Sequence, residues 1–248
     1  MLDEEVRDRL RVAGFLHLKK VFGPTELGHV EALLDPLLER FEGLPSSRAH
    51  RPDAKEGGPH LIRDLNRASV ELPALKETEV YRRSRELARD LLSVRRVGCS
   101  FDHVIYKDPG AGPVDWHQDQ VYKTSVPRMR SVHLWIPFHP VGRENGCMQF
   151  VEGSHRGGLK PHRSVEGTRV LGSPPEEPYT AEMDLGDVSV HLPLTVHRSL
   201  PNRSSTTRRA WILHFSRFGR WEVITPRNVV DLVSQRFWRR RSHEAVSP

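Results

Sequence analysis

At 248 residues, 37% of them hydrophobic and 28% charged, the chain is long enough for one well-buried domain and reads as soluble and globular. No apolar run approaches the roughly 18 residues of a membrane span, and the acidic start Met1-Leu2-Asp3-Glu4-Glu5 is unlike a signal peptide. The net charge of +6 comes from scattered basic residues and one dense run, Arg239-Arg240-Arg241, which reads as a solvated tail rather than a nucleic-acid site. Two cysteines, Cys99 and Cys147, are too few for a disulfide framework or a structural zinc site, so a reducing cytoplasm is expected.

Asp3 is placed to cap a helix over Glu4–Val12 that ends at Gly14, and Gly14–Leu18 reads as a short strand. Pro24 suits the first turn of a second helix, whose apolar positions Leu27, Val30, Leu33, Leu34, Leu37, Leu38 and Phe41 follow the helical period. Pro36 lies inside that pattern and is expected to kink the helix or end it early. Gly43–His60 is rich in Pro, Gly, Ser and charge and reads as a loop. A third helix is expected over Leu75–Leu92, with Leu87, Ala88, Leu91 and Leu92 as its apolar stripe.

From Val97 short strands alternate with turns: Ser100–Tyr106, Ser131–Phe138, Cys147–Val151, Ala181–Leu185, Val188–His191 and Arg208–Phe215. Helices followed by many short strands predict a mainly β domain, a sandwich or barrel with helices packed on it. One domain is expected, with a mainly helical part over 1–96, a β core over 97–217 and an extension over 218–248. Gly153–Pro178 lacks periodicity and has the length of an active-site lid.

The segment Val114-Asp115-Trp116-His117-Gln118-Asp119 carries the chemistry. On an extended strand His117 and Asp119 point to one face, because side chains alternate. Two imidazoles and one carboxylate suit iron(II) and leave coordination positions open, so a second histidine from elsewhere is needed. Trp116 and Trp135 could wall the pocket, although buried tryptophans are commonly plain core. His103, Ile105 and Lys107 alternate on one face of a strand near the site and could touch substrate or solvent.

Downstream, His197-Arg198-Ser199-Leu200-Pro201-Asn202-Arg203-Ser204 runs on to Arg208-Arg209-Ala210-Trp211. Together with Trp-His-Gln-Asp at 116–119, this pattern resembles the phytanoyl-CoA dioxygenase family of iron(II)/2-oxoglutarate oxygenases. The likeness extends to Gly14–Leu18, to Leu134-Trp135-Ile136-Pro137 with Glu144-Asn145-Gly146-Cys147, and to Glu152-Gly153-Ser154-His155. Residues 43–70 and 155–180 carry little of it. The resemblance implies a double-stranded β-helix (jelly-roll, cupin-like) core, with iron(II), 2-oxoglutarate and dioxygen as cofactor and cosubstrates.

It further implies His117, Asp119 and His197 as iron ligands, and Arg208, eleven residues beyond His197, as the 2-oxoglutarate arginine. A guanidinium matches a carboxylate with two parallel hydrogen bonds. Arg209 competes for that role, but strand alternation turns only one of the pair inward. Ser199 matches a serine that bonds the same carboxylate, and Trp135 is expected against the cosubstrate. His191, the rival to His197, has Asn202 at the arginine offset. The other histidines, His133, His139, His155 and His214, read as structural or surface residues. His103, Gln118, Tyr122 and Arg128 are candidate substrate contacts, although Gln118 should face away from the metal.

The expected reaction is hydroxylation of an unactivated C–H bond of a small molecule, with release of succinate and carbon dioxide. A carboxylate at 119 occupies the place that related halogenases leave open for chloride. Ring closure, desaturation and epimerisation remain alternative outcomes, a silent binding protein is the alternative of another class, and monomer and homodimer are both compatible.

Overall fold

The structure is a computed structural model that describes residues 3–52, 60–123, 131–165, 168–172, 174 and 177–217. The extension 218–248 and Arg128 lie outside the described residues. The first half runs α1 (Glu4–Ala13), β1 (Phe15–Leu18), α2 (Pro24–Glu39), β2 (Ala49–His50), β3 (Ile62–Asn66), α3 (Ala68–Glu71) and α4 (Glu79–Leu92). There follow β4 (Gly98–Lys107), β5 (Val114–His117), β6 (Ser131–Pro137), β7 (Met148–Phe150), β8 (Arg163–Val165) and β9 (Thr168–Val170). The chain continues through β10 (Tyr179–Ala181), β11 (Val188–His191), β12 (His197–Ser199) and β13 (Arg208–Ser216).

Seven strands form one sheet in the order β1-β11-β6-β13-β4-β3-β2, and four form a second in the order β10-β7-β12-β5. All their pairings are antiparallel. Most sequence neighbours do not pair, so the chain crosses repeatedly between two facing sheets, which is the jelly-roll arrangement.

Alternation along the central strands assigns two faces. Val104, Leu134, Ile136, Trp211 and Leu213 point outward and pack with Leu27, Val30 and Leu34 of α2 and Val80, Ala88 and Leu91 of α4. Trp135, Ala210 and Ile212 point inward and pack with Phe15, Met148 and Phe150. The large sheet thus has apolar packing on both faces, and its inner face closes over the small sheet. No described helix is long and apolar enough to cross a membrane.

Several expectations are corrected. Asp3 occupies the cap position of α1 but its side chain makes no capping bond, whereas Gly14 ends the helix with φ 85°. Pro36 does not end α2; it lies in the closing turn, and the helix runs on to Glu39. The helix expected over 75–92 starts at Glu79, after a 3-10 turn, because Thr78 accepts a hydrogen bond from the Tyr81 amide and caps it.

The strand expected over 181–185 lies earlier, at Tyr179–Ala181. Asp184–Asp187 instead closes a turn through Gly186, whose φ of 94° and approach to the Phe22 carbonyl leave no room for a Cβ. The segment 153–178, expected to lack structure, carries a 3-10 turn and the β8–β9 hairpin. The part read as mainly helical supplies β1, β2 and β3 to the large sheet.

Leu34 is 1% exposed between α2 and the sheet. Leu34→Ala should lower unfolding free energy by about 2–5 kcal/mol in urea denaturation, while truncation of the half-exposed Val12 should change it by under about 0.5 kcal/mol.

Candidate metal centre

His117 ends β5, Asp119 follows on a 3-10 turn, and His197 opens β12, which pairs with β5 so that His197 lies opposite His117. The pairing explains how residues some eighty positions apart meet. Asp119 Oδ1 lies 3.4 Å from His117 Nε2 and 3.7 Å from His197 Nε2, and all three ligand atoms fall within 4.8 Å of one another.

Each imidazole is aimed by its other nitrogen. His117 Nδ1 donates to the Asp115 carbonyl at 2.7 Å, and His197 Nδ1 donates to the Thr195 carbonyl at 2.9 Å. Both Nε2 atoms are thereby left to face a metal. The carboxylate is held in the same manner from the opposite sheet. Asp119 Oδ2 accepts from His133 Nδ1 at 2.6 Å and His191 Nε2 at 3.1 Å, leaving Oδ1 turned toward the two ligand histidines. His191 is therefore placed to orient Asp119, not to replace His197.

Protonation follows from burial and charge. Burial alone would raise the Asp119 carboxyl, but the charge of His133 and the hydrogen bonds from His117 and His133 hold it well below its usual range. Burial, together with the neighbouring His117, pushes His197 well below the usual imidazole range. Burial acts to lower His117 as well, yet the Asp119 carboxylate outweighs it and raises the ring. An ionised carboxylate and a neutral His197 are ready ligands, while at His117 a metal would compete with the proton that the Asp119 carboxylate favours.

A second constellation lies beside the triad. Arg208 is 1% exposed, burial lowers its guanidinium to about 10, and its Nε and Nη1 have no hydrogen-bond partner among the described residues. Its guanidinium sits 5.2 Å from the centre of the Trp135 ring. Lys107, opposite Arg208 in the β4–β13 register, is fully buried and donates to Ser199 Oγ at 3.1 Å and to the Leu200 carbonyl. Arg209 points the other way and pairs with Glu31 at 3.0 Å on the helical side. A buried guanidinium with idle donors is costly unless an anion completes it. The donor sets of both constellations therefore fit a divalent metal and a carboxylate ligand.

The remaining expected contacts divide. His103 faces the inside of the barrel, with Nδ1 bonded to Asp64 at 2.8 Å. Gln118 is fully buried but points away from the metal: Nε2 donates to the Gly158 and Leu194 carbonyls and Oε1 accepts from the Lys160 amide. It fastens the 158–162 segment to the ligand loop; both of its N–H donors are used and the side chain is fully buried away from the metal. Tyr122 is exposed, and its hydroxyl accepts from the Arg169 amide of β9, so it braces the hairpin. Trp116 is buried on the far side of β5 beneath Arg198, 4.6 Å from the ring centre, and not against Arg208.

Sequence reasoning did not single out Lys107 for the anion pocket, nor His133 and His191 as the carboxylate's partners. The alternation of His103, Ile105 and Lys107 was the available signal for Lys107. Nothing local marks His133 and His191.

A jelly-roll barrel with two histidines and one aspartate converging at its inner wall defines a class of metal-site β-helix proteins. The chain matches the family model for phytanoyl-CoA dioxygenase (PhyH) over residues 10–210, and it belongs to that family. It is 35% identical over 121 residues to phytanoyl-CoA dioxygenase domain-containing protein 1 of Bos taurus, covering 44% of this chain and 42% of the relative, so the matched region spans less than half of that protein.

Among solved structures, EvdO2 of Micromonospora carbonacea var. aurantiaca, complexed with 2-oxoglutarate, superposes with a TM-score of 0.74 at 24% identity over 87% of this chain and 91% of its own. The non-heme alpha-ketoglutarate-dependent carbocyclase SnoK from nogalamycin biosynthesis superposes at 0.68 and 21% identity, over 88% and 85% of the two chains. These likenesses establish a shared fold.

Arg208→Met should raise the melting temperature of the ligand-free protein, because it removes an uncompensated buried charge. The same variant should lose the stabilisation that 2-oxoglutarate gives the wild type. Thermal denaturation with and without the ligand reads both effects.

Proposed function

We propose that the chain is an iron(II)- and 2-oxoglutarate-dependent dioxygenase that hydroxylates an unactivated C–H bond of a small molecule, releasing succinate and carbon dioxide. The observation that carries this reading is the adjacency of two incomplete sites: three convergent ligand atoms and, beside them, a buried Arg208 with idle donors. One bidentate oxo-acid completes both.

His117 Nε2, Asp119 Oδ1 and His197 Nε2 hold the metal. Arg208, Lys107 and Ser199 receive the distal carboxylate of 2-oxoglutarate, and Trp135 supports the guanidinium from its ring face. His133 and His191 keep Asp119 presenting one oxygen, so that with His117 and His197 it would hold the metal through three protein ligands and leave it open to the cosubstrate. When bound, the iron supplies the coupling of 2-oxoglutarate decarboxylation to C–H oxidation. The protein supplies orientation and a pocket walled by buried side chains.

The substrate is read as small and the setting as bacterial specialised-metabolite biosynthesis. SnoK's place in nogalamycin biosynthesis supports this reading. Ring closure is the second reading of the same site, favoured by the carbocyclase description of SnoK. Substrate placement in the cavity would decide between hydroxylation and ring closure, desaturation or epimerisation, and the mass of the product separates these from hydroxylation.

Anaerobic addition of iron(II) and 2-oxoglutarate should give a visible charge-transfer band, and admission of oxygen should give succinate. Asp119→Ala and His197→Ala should abolish both, as should removal of the metal with a chelator, reversed by iron(II). Lys107→Met and Arg208→Met should raise the 2-oxoglutarate KM by roughly 10- to 100-fold, the worth of a charge-assisted hydrogen bond. Wild-type protein that forms the band but never succinate, with any substrate offered, would point to a silent binding protein.

A further inference from the structure

Beyond the triad the inner wall carries a run of rings. His214 stacks on His133 with centroids 3.7 Å apart, and His103 meets His214 edge-on at 5.3 Å and Phe101 at 5.2 Å. Since His133 bonds Asp119, His103 stands two rings from the metal ligand. Along β4, Lys107, Ile105 and His103 share the inward face, so His103 lies four residues from the anion pocket, about 13 Å along the strand. That spacing exceeds the reach of a five-carbon dicarboxylate and places His103 beyond the cosubstrate, on the side left for substrate.

His103 is held for a purpose that neither the metal nor the cosubstrate explains. Its Nδ1 bonds Asp64 Oδ1 at 2.8 Å, while His50 Nδ1 lies 3.8 Å from Asp64 Oδ2. The carboxylate therefore has an imidazole at each oxygen. Nε2, on the opposite edge of the His103 ring, has no hydrogen-bond partner among the described residues, and the side chain retains 16% exposure. Burial alone would depress this imidazole, but the Asp64 charge and hydrogen bond outweigh it and raise it above the usual histidine range.

We propose that His103, oriented by Asp64, is a substrate-binding residue whose Nε2–H donates to an oxyanion, a carboxylate or phosphonate group, on the molecule to be oxidised. Among the described residues the carboxylates of this wall, Asp119 and Asp64, are already engaged by imidazoles, so a cationic group meets no free carboxylate there, whereas an oxyanion meets an open donor at His103. The inference rests on the oxygenase reading for what the cavity holds, and it assigns the chemical class of the substrate.

The test uses full-length protein loaded with zinc(II) and 2-oxoglutarate, with methylphosphonate and acetate as probes and ethanol and ethylammonium as controls. The His103 imidazole resonance is assigned by its loss in His103→Gln. Saturable shifts of that resonance with at least one oxyanion and with neither control are expected. Binding of the same probe, followed by calorimetry, should weaken roughly 10- to 100-fold in His103→Gln and in His103→Ala. Asp64→Asn should weaken it too, with 2-oxoglutarate affinity unchanged in all three variants.

Equal binding in His103→Gln, equal shifts with the controls, or no shift with either oxyanion would overturn the proposal. The two oxyanions separate a carboxylate site from a phosphonate site. The iron(II) charge-transfer band, measured on the same variants, reports the oxygenase reading separately: its absence in wild type removes that reading while the zinc experiment still decides the fate of His103.

Discussion

The two oxygens of Asp119 face in different directions, and the rest of the centre depends on that division. Oδ2 is taken by His133 and His191 of the large sheet, and Oδ1 is left to His117 and His197 of the small sheet. A carboxylate free to rotate would chelate or swing away; one bonded on one side presents a single ligand atom. The same residue ties the two sheets together, so the depth of the barrel and the shape of the metal site are one constraint. A conformational change that separates the sheets must also break the centre.

A second constraint is charge left unanswered. Arg208 lies against Trp135 with two guanidinium nitrogens unpaired among the described residues, while Lys107, across the register, is bonded to Ser199 and Leu200. Such an arrangement is costly to bury, and an anionic group placed at Arg208 would offset that cost. At the other end of the wall the carboxylate Asp64 is already satisfied, and it is the imidazole it holds that has capacity to spare. The barrel is thus graded from two buried cations, through the metal ligands, to hydrogen-bonding rings.

The reading of the chain succeeded where the information was local. The periodicity of α2 and α4, the turn at Gly14 and the alternation in β4, β6 and β13 are properties of short segments, and they matched closely. It failed where a neighbour decided. Pro36 stays within α2, which runs on to Glu39, and Asp184–Asp187 became a turn because Gly186 passes against the Phe22 carbonyl. Gln118 looked available for substrate because nothing in Trp-His-Gln-Asp discloses the three backbone groups of other segments that bind its amide.

By itself the sequence marked His117 and Asp119 as a candidate ligand pair, since a two-residue spacing on an extended chain puts both on one face. With the family likeness it also pointed to His197, to Arg208 in preference to Arg209, and to a jelly-roll core. Only the tertiary structure decided that His191 bonds Asp119 while His197 lies opposite His117, that Lys107 is buried across from Arg208, and that Asp64 bonds His103. Those roles depend on antiparallel registers between strands far apart in the chain, and no short stretch of residues records which strand its neighbour will be.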